Sequence, residues 1–172
     1  MEPQDVSDRH VIAMQLGREP QGRWSVACRC PYGYPQVIRV APIVAGRPFP
    51  TLYWLTCPFL RAAISRLEAD GWVKRLEARM RTTTELAAAM DNAHDRYWQE
   101  RNGLLSGAQR ERLAPEFEGR GIGGIADRRY LKCLHLHAAH ALAGENPIGK
   151  IVLERLAEQF CDRKEVICSA YV

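Results

Sequence analysis

Thr51-Leu52-Tyr53-Trp54-Leu55-Thr56-Cys57-Pro58 decides how this chain folds, because one short run holds both kinds of structure. The apolar and aromatic residues from Thr51 to Leu55 read as a short buried strand. Thr56-Cys57-Pro58 ends it, and Leu60, Ile64 and Leu67 then recur at helical spacing. Proline suits the first helical position, where a backbone N–H has no partner in any case. Cys57 therefore stands between the carboxyl end of a strand and the amino end of a helix, where the dipole favours a thiolate.

Toward the N-terminus the pattern is mostly strand. Asp5 or Ser7 caps a first short helix carrying Val11, Ile12, Met14 and Leu16, and Gly17 stops it. Trp24 to Cys30 and Gln36 to Val40 read as two strands joined by the turn Pro31-Tyr32-Gly33-Tyr34-Pro35, with Val26, Cys28 and Cys30 on one face. Ala45 to Pro50 reads as a Pro/Gly-rich link. Toward the C-terminus the pattern is helical. Gly71 breaks the helix that follows Pro58, and Trp72 to Met80 continues in helical or extended form. Thr82 with Glu85 reads as a capping box for a long helix to about Arg101, with Leu86, Met90, Ala93 and Tyr97 inward. Ser106 with Gln109 offers a second box, for a short helix closed by Pro115. Asn146-Pro147 starts a last helix with Ile148, Ile151, Val152, Leu156 and Phe160 at its apolar positions, and Glu165 to Val172 reads as an edge strand. These elements predict an α+β fold: one domain over residues 1–172, with a small N-terminal β-sheet packed against a predominantly helical C-terminal two-thirds.

The bulk numbers narrow the classes of function. A chain of 172 residues suits one sizeable core. Lys and Arg together number 24 against 20 for Asp and Glu, a formal +4 that is nearly all arginine and spread through the chain. No stacking motif accompanies it, which disfavours a nucleic-acid surface. The first twenty residues lack a signal-peptide run, and no stretch approaches the ~20 apolar residues of a membrane span. A cytoplasmic protein without a membrane partner is expected. In a reducing compartment its six cysteines are thiols or metal ligands.

Lys132-Cys133-Leu134-His135-Leu136-His137-Ala138-Ala139-His140 concentrates the chemistry. Read as part of a helix starting near Arg128, it places Cys133, His137 and His140 within roughly a 60° arc, with His135 pointing away. Soft and borderline donors on one face point to a metal site. Cys133 and His140 are about 10 Å apart along the axis, so other ligands must come from elsewhere. Cys30-Pro31 and Cys57-Pro58 each end a strand, as ligand cysteines do in iron–sulfur loops. Any one of these cysteines alone reads better as a small buried side chain, and only Cys57 and Cys133 taken jointly with the histidines favour a site. Cys28, Cys161 and Cys168 read as packing residues. The candidate metal ligands are thus Cys30, Cys57, Cys133, His137 and His140, for an iron–sulfur cluster or zinc, with Cys57 and Cys133 brought together.

Gly119-Arg120-Gly121-Ile122-Gly123-Gly124 precedes this segment, and glycine N–H groups before a helix can hold an anion. Arg120, Gly121, Gly123, Gly124 and Arg129 are the candidates for it. No Gly-Lys-Ser/Thr follows and no strand precedes, so neither a Walker loop nor a dinucleotide fingerprint is present. A plain connection needing positive φ explains the run equally well.

Arg29-Cys30-Pro31, the run from Phe49 to Pro58, Gly121-Ile122-Gly123-Gly124, Lys132 to His137 and Asn146-Pro147-Ile148-Gly149 resemble one bacterial family, domain of unknown function 501. The resemblance spans about Leu16 to Gly149. It implies a cytoplasmic bacterial protein, often encoded near cell-division and polyphosphate genes, and carries no mechanism. Three readings follow. The first is a metal- or iron–sulfur-dependent enzyme acting on a small anionic substrate, such as a phosphate-bearing one. The second is a metal-free thiol enzyme with Cys57 as nucleophile and His137 or His140 as base. The third is an interaction module with a structural Cys/His site and a cell-division partner.

Overall fold

Two hydrophobic clusters, one on each face of a small sheet, organise the chain. The computed structural model describes residues 6–156, 161 and 165–171. Strands β1 (Trp24–Arg29), β2 (Pro35–Val40) and β5 (Tyr53–Leu55) form an antiparallel sheet in the order β1-β2-β5. β2 pairs on both sides, with Ile38 opposite Val26 and Trp54. Alternation then sorts its side chains. Ile38 and Val40 join Trp24 and Ile12 of helix α1 (Val6–Leu16) on one face, while Val37 joins Tyr53 and Leu55 beneath the remaining helices on the other. A strand buried on both faces reads as a continuous apolar run, as Val37-Ile38 does.

The helices follow in order: α2 (Pro58–Ala69), α3 (Trp72–Thr82), α4 (Thr84–Gly103), α5 (Gly107–Phe117), α6 (Leu134–Ala143) and α7 (Pro147–Arg155). The expected α+β architecture is what forms. α6 is the hub: it packs on α7, α2 and all three strands of the sheet, with Leu134, Ala138 and Ala139 fully buried. Gly149 makes the α6–α7 contact possible, since a Cβ there would overlap the His137 carbonyl. Gly149→Ala is therefore expected to cost about 1–3 kcal/mol through forced separation of the two helices. A urea midpoint unchanged from the parent would show that they can move apart freely.

Several local expectations are corrected. A β-bulge between Val26 and Cys28 breaks the alternation of β1, so Val26 packs on the α1 side while Cys28 packs on the helical side. Ala45 to Pro50 is not a plain link. β3 (Ile43–Val44) and β4 (Arg47–Pro48) pair across Ala45-Gly46, both at positive φ, which is the two-residue hairpin geometry. The cap of α4 is Thr83, with no side-chain cap bond, because α3 continues through Thr82. Ser106 and Gln109 do form their reciprocal box, but α5 runs past Pro115 to Phe117. Ile167–Tyr171 is a 3-10 helix rather than an edge strand. Asp5 and Phe160 lie outside the described residues.

Candidate metal centre

α6 begins at Leu134, not near Arg128, and this moves every residue of the Cys/His segment. Cys133 is the extended residue before the first turn (φ −164°, ψ 157°) and makes no cap hydrogen bond. The cap comes from another helix instead. Glu68, in the last turn of α2, accepts the Leu134 N–H at 2.6 Å through Oε1, which also lies 3.1 Å from His135 Nδ1. One donor atom each from Glu68, Cys133 and His135 lies within 4.8 Å of the others, all three residues being half-buried.

The imidazole is oriented as metal-ligating histidines are. Its Nε2 sits 3.1 Å from the Arg61 carbonyl and 3.3 Å from Ser65 Oγ. A carbonyl can only accept, so Nε2 carries a proton and Nδ1 faces Cys133 and Glu68. A backbone carbonyl on the far nitrogen fixes tautomer and ring plane for a ligand on the near one. The Cys133 thiol first, then the Arg61 carbonyl and the Glu68 carboxylate, hold the His135 pKa above its usual value, while burial opposes them. One sulfur, one imidazole nitrogen and one carboxylate oxygen make a borderline donor set that suits zinc, and three protein ligands leave a coordination position open.

His135 also lines a cleft of about 680 Å³ with Arg18, Trp54, Arg61 and Ser65. The Arg18 guanidinium lies 4.9 Å from the centre of the Trp54 ring, and Arg61 Nη1 donates to the Gln15 carbonyl at 2.6 Å. With two arginines and no carboxylate among the residues that line it, the cleft is electropositive.

The other predicted ligands stand apart from this cluster. Cys57 caps the opposite end of α2 from Glu68, roughly 16 Å away at 1.5 Å rise per residue. The expected meeting of Cys57 with Cys133 is therefore corrected; Cys57 and Cys30 line a separate cavity instead. The expectation that His135 faces away from Cys133 is also reversed, because Cys133 precedes the helix rather than sharing its face.

His137 and His140 are buried in the α6–α7 core. Gly149 N–H donates to Asn146 Oδ1 at 2.7 Å, which forces the Asn146 amide nitrogen toward both rings, 3.2 Å from each Nδ1. Each Nδ1 is then an acceptor and each ring is neutral. Burial pushes His137 down to about 3 and His140 down to about 4. His140 also stacks on Tyr53, with ring centroids 5.6 Å apart.

The glycine run serves packing. Gly121 N–H donates to Ile125, Gly124 N–H to Gly121, and Ile122 N–H to His94 Nδ1 at 3.0 Å. Buried Arg101 donates to the carbonyls of Phe117, Arg120 and Gly121, and Lys132 Nζ to that of Gly123. Side chains at Gly121, Gly123 or Gly124 would overlap His94, Leu136 or Pro50. With these groups already paired, the loop is poorly placed to hold an anion, and Arg129 is exposed and paired with Asp127. Glu68, His94 and Arg101 had no signal in the sequence: each is an ordinary helix residue until the fold supplies its partner.

No curated protein and no solved structure matches the chain. The family whose model matches residues 26–154, a span that includes Glu68, Cys133 and His135, is the one described as protein of unknown function (DUF501), and the chain belongs to it.

Proposed function

We propose that the protein is a metal-dependent enzyme whose Glu68–Cys133–His135 centre works on a small anionic substrate bound in the adjoining cleft. The observation that carries this reading is the sharing of His135 between the cluster and the wall of the cleft. Glu68, Cys133 and His135 would hold a zinc ion, which when bound would supply Lewis-acid chemistry or activate a water. Arg18 and Arg61, which line the same cleft as His135, would hold a phosphate or carboxylate there, as guanidinium groups do. Cys30, Cys57, His137 and His140 are not ligands in this reading.

Zinc titration of the metal-free chain tests it. One tight site is expected, and Cys133→Ser, His135→Ala and Glu68→Gln should each weaken it at least about tenfold. Inorganic phosphate should bind the zinc-loaded chain better than the metal-free one. Arg61→Ala should cost phosphate about 1.5 kcal/mol, a charged hydrogen bond's worth. Zinc affinity indifferent to all three ligand substitutions would overturn the reading.

A second reading rests on the contact between Cys133 and His135. Cys57 is a poor nucleophile, because burial pushes its thiol up to about 11. Cys133, beside an imidazole and at a helix start, is the better-placed thiol. Selective alkylation of Cys133 in a chain that takes up no zinc would favour this reading over the metal one.

A further inference from the structure

Four of the six cysteines, Cys30, Cys57, Cys161 and Cys168, line one cavity of about 50 Å³. They come from three separate places: the turn after β1, the start of α2, and the C-terminal segment. The turn is fixed by the Gly33 N–H to Cys30 carbonyl bond at 2.9 Å, with Gly33 at positive φ. Tyr32 Oη donates to the Cys161 carbonyl at 2.8 Å, tying the C-terminal segment to the same turn. Prolines follow both Cys30 and Cys57, so the next backbone position offers no N–H and the turn is rigid. The rest of the lining is mostly apolar, with Pro31, Phe59 and Leu60 among it.

The second observation is Gln15. Its side chain is buried, and Nε2 donates to the Pro35 carbonyl at 2.8 Å and to Cys168 Sγ at 3.2 Å. Turning the amide over would set two carbonyl oxygens against each other, so an N–H must face the sulfur. Oε1 is left without a partner among the described residues. An amide N–H aimed at a cysteine sulfur is the outer contact that tunes thiolates bound to iron. Cys57 precedes the first turn of α2 and makes no side-chain cap hydrogen bond, so its sulfur is left to line the cavity.

A single tetrahedral ion with bonds near 2.3 Å brings sulfurs to about 3.8 Å of one another. Among the described residues no three of these thiols stand within 4.8 Å of one another. They are therefore not gathered as one tetrahedral ion would hold them, whereas a cubane takes four cysteine ligands whose sulfurs stand roughly 6–7 Å apart.

We propose that Cys30, Cys57, Cys161 and Cys168 hold a [4Fe–4S] cluster, a second centre at the opposite end of α2 from Glu68. Each thiol gives one proton to solvent as its sulfur bonds one iron, so four protons leave and no oxidant or reductant is consumed. The cluster does not depend on the zinc reading, and the two fail separately.

Anaerobic reconstitution of the full chain with ferrous iron, a ferric source and sulfide tests it, read by iron and sulfide content and the visible charge-transfer spectrum. About four irons and four sulfides per chain are expected. The double variant Cys161→Ala/Cys168→Ala should lose the cluster while its circular dichroism stays that of the parent, and Cys133→Ser and Cys28→Ser should keep it. Wild-type protein that takes up no iron and sulfide overturns the proposal, as does a double variant that holds as much as wild type. A single zinc bound by these four cysteines in place of iron also overturns it.

Discussion

Between about pH 7.5 and pH 5 the folded state is expected to lose about 5–6 kcal/mol of stability, from three buried histidines acting together. Burial lowers His137 from 6.5 to about 3, and His140 and His94 from 6.5 to about 4. Their Nδ1 atoms accept hydrogen bonds, from Asn146 for the first two and from the Ile122 N–H for His94. A proton there would replace an acceptor with a donor facing a donor. The sign follows from the direction of the shifts. The unfolded chain binds protons near 6.5 and the folded chain does not until about 4, so this stability is present above 6.5 and is lost as pH falls toward 4. Each histidine contributes about 1.4 kcal/mol per pH unit within that window. His135 is shifted up and works the other way, but it is partly exposed and its share is small. Against a total of about 5–15 kcal/mol for a domain, the loss is enough to unfold the chain in mild acid. Urea midpoints measured across this range check it, and His137→Gln should flatten the slope by about a third. A midpoint that does not move between the two pH values would mean that the rings titrate in the folded state.

Arg101→Ala is expected to cost at least about 3 kcal/mol. The side chain is fully buried, and its guanidinium lies 4.6 Å from the centre of the Phe117 ring. It donates to the carbonyls of Arg120 at 2.7 Å, Phe117 at 3.1 Å and Gly121 at 3.3 Å. Alanine would take a charged donor from each of those carbonyls, of which Phe117 keeps Trp98 Nε1 and Gly121 keeps the Gly124 N–H, and would open a cavity between α4, α5 and the glycine run. Arg101→Lys should recover little, because one ammonium cannot span the fork. Chemical denaturation of both variants decides this, and a cost under about 1 kcal/mol for alanine would show that water replaces the guanidinium freely.

The parts of the fold that were legible in the sequence are those fixed by neighbours along the chain. Gly17 stopping α1, Pro58 opening α2, Ser106 with Gln109, and Asn146 with Pro147 all signal their ends within a few residues. The misses have long-range causes. The start of α6 is set by the Glu68 carboxylate on the Leu134 N–H, a bond across 66 positions. That one displacement moved Cys133 off the helix face, joined it to His135, and left His137 and His140 in the core with Asn146. Cys161 and Cys168 read as packing residues because nothing near them in sequence carries ligand spacing; only the return of the chain to the first turn sets them beside Cys30 and Cys57. Two groups of thiols, at opposite ends of one helix, look like a single group in the sequence, which carries no distances.

X-ray absorption at the zinc edge, on the chain loaded with one equivalent of zinc, tests the proposed centre most directly. One sulfur at about 2.3 Å with two or three nitrogen or oxygen neighbours at about 2.0–2.2 Å is the predicted first shell. It should lose its sulfur in Cys133→Ser and keep it in Cys57→Ser. A shell of four sulfurs, or one unchanged by Cys133→Ser, would place the zinc elsewhere and contradict a centre built from Glu68, Cys133 and His135.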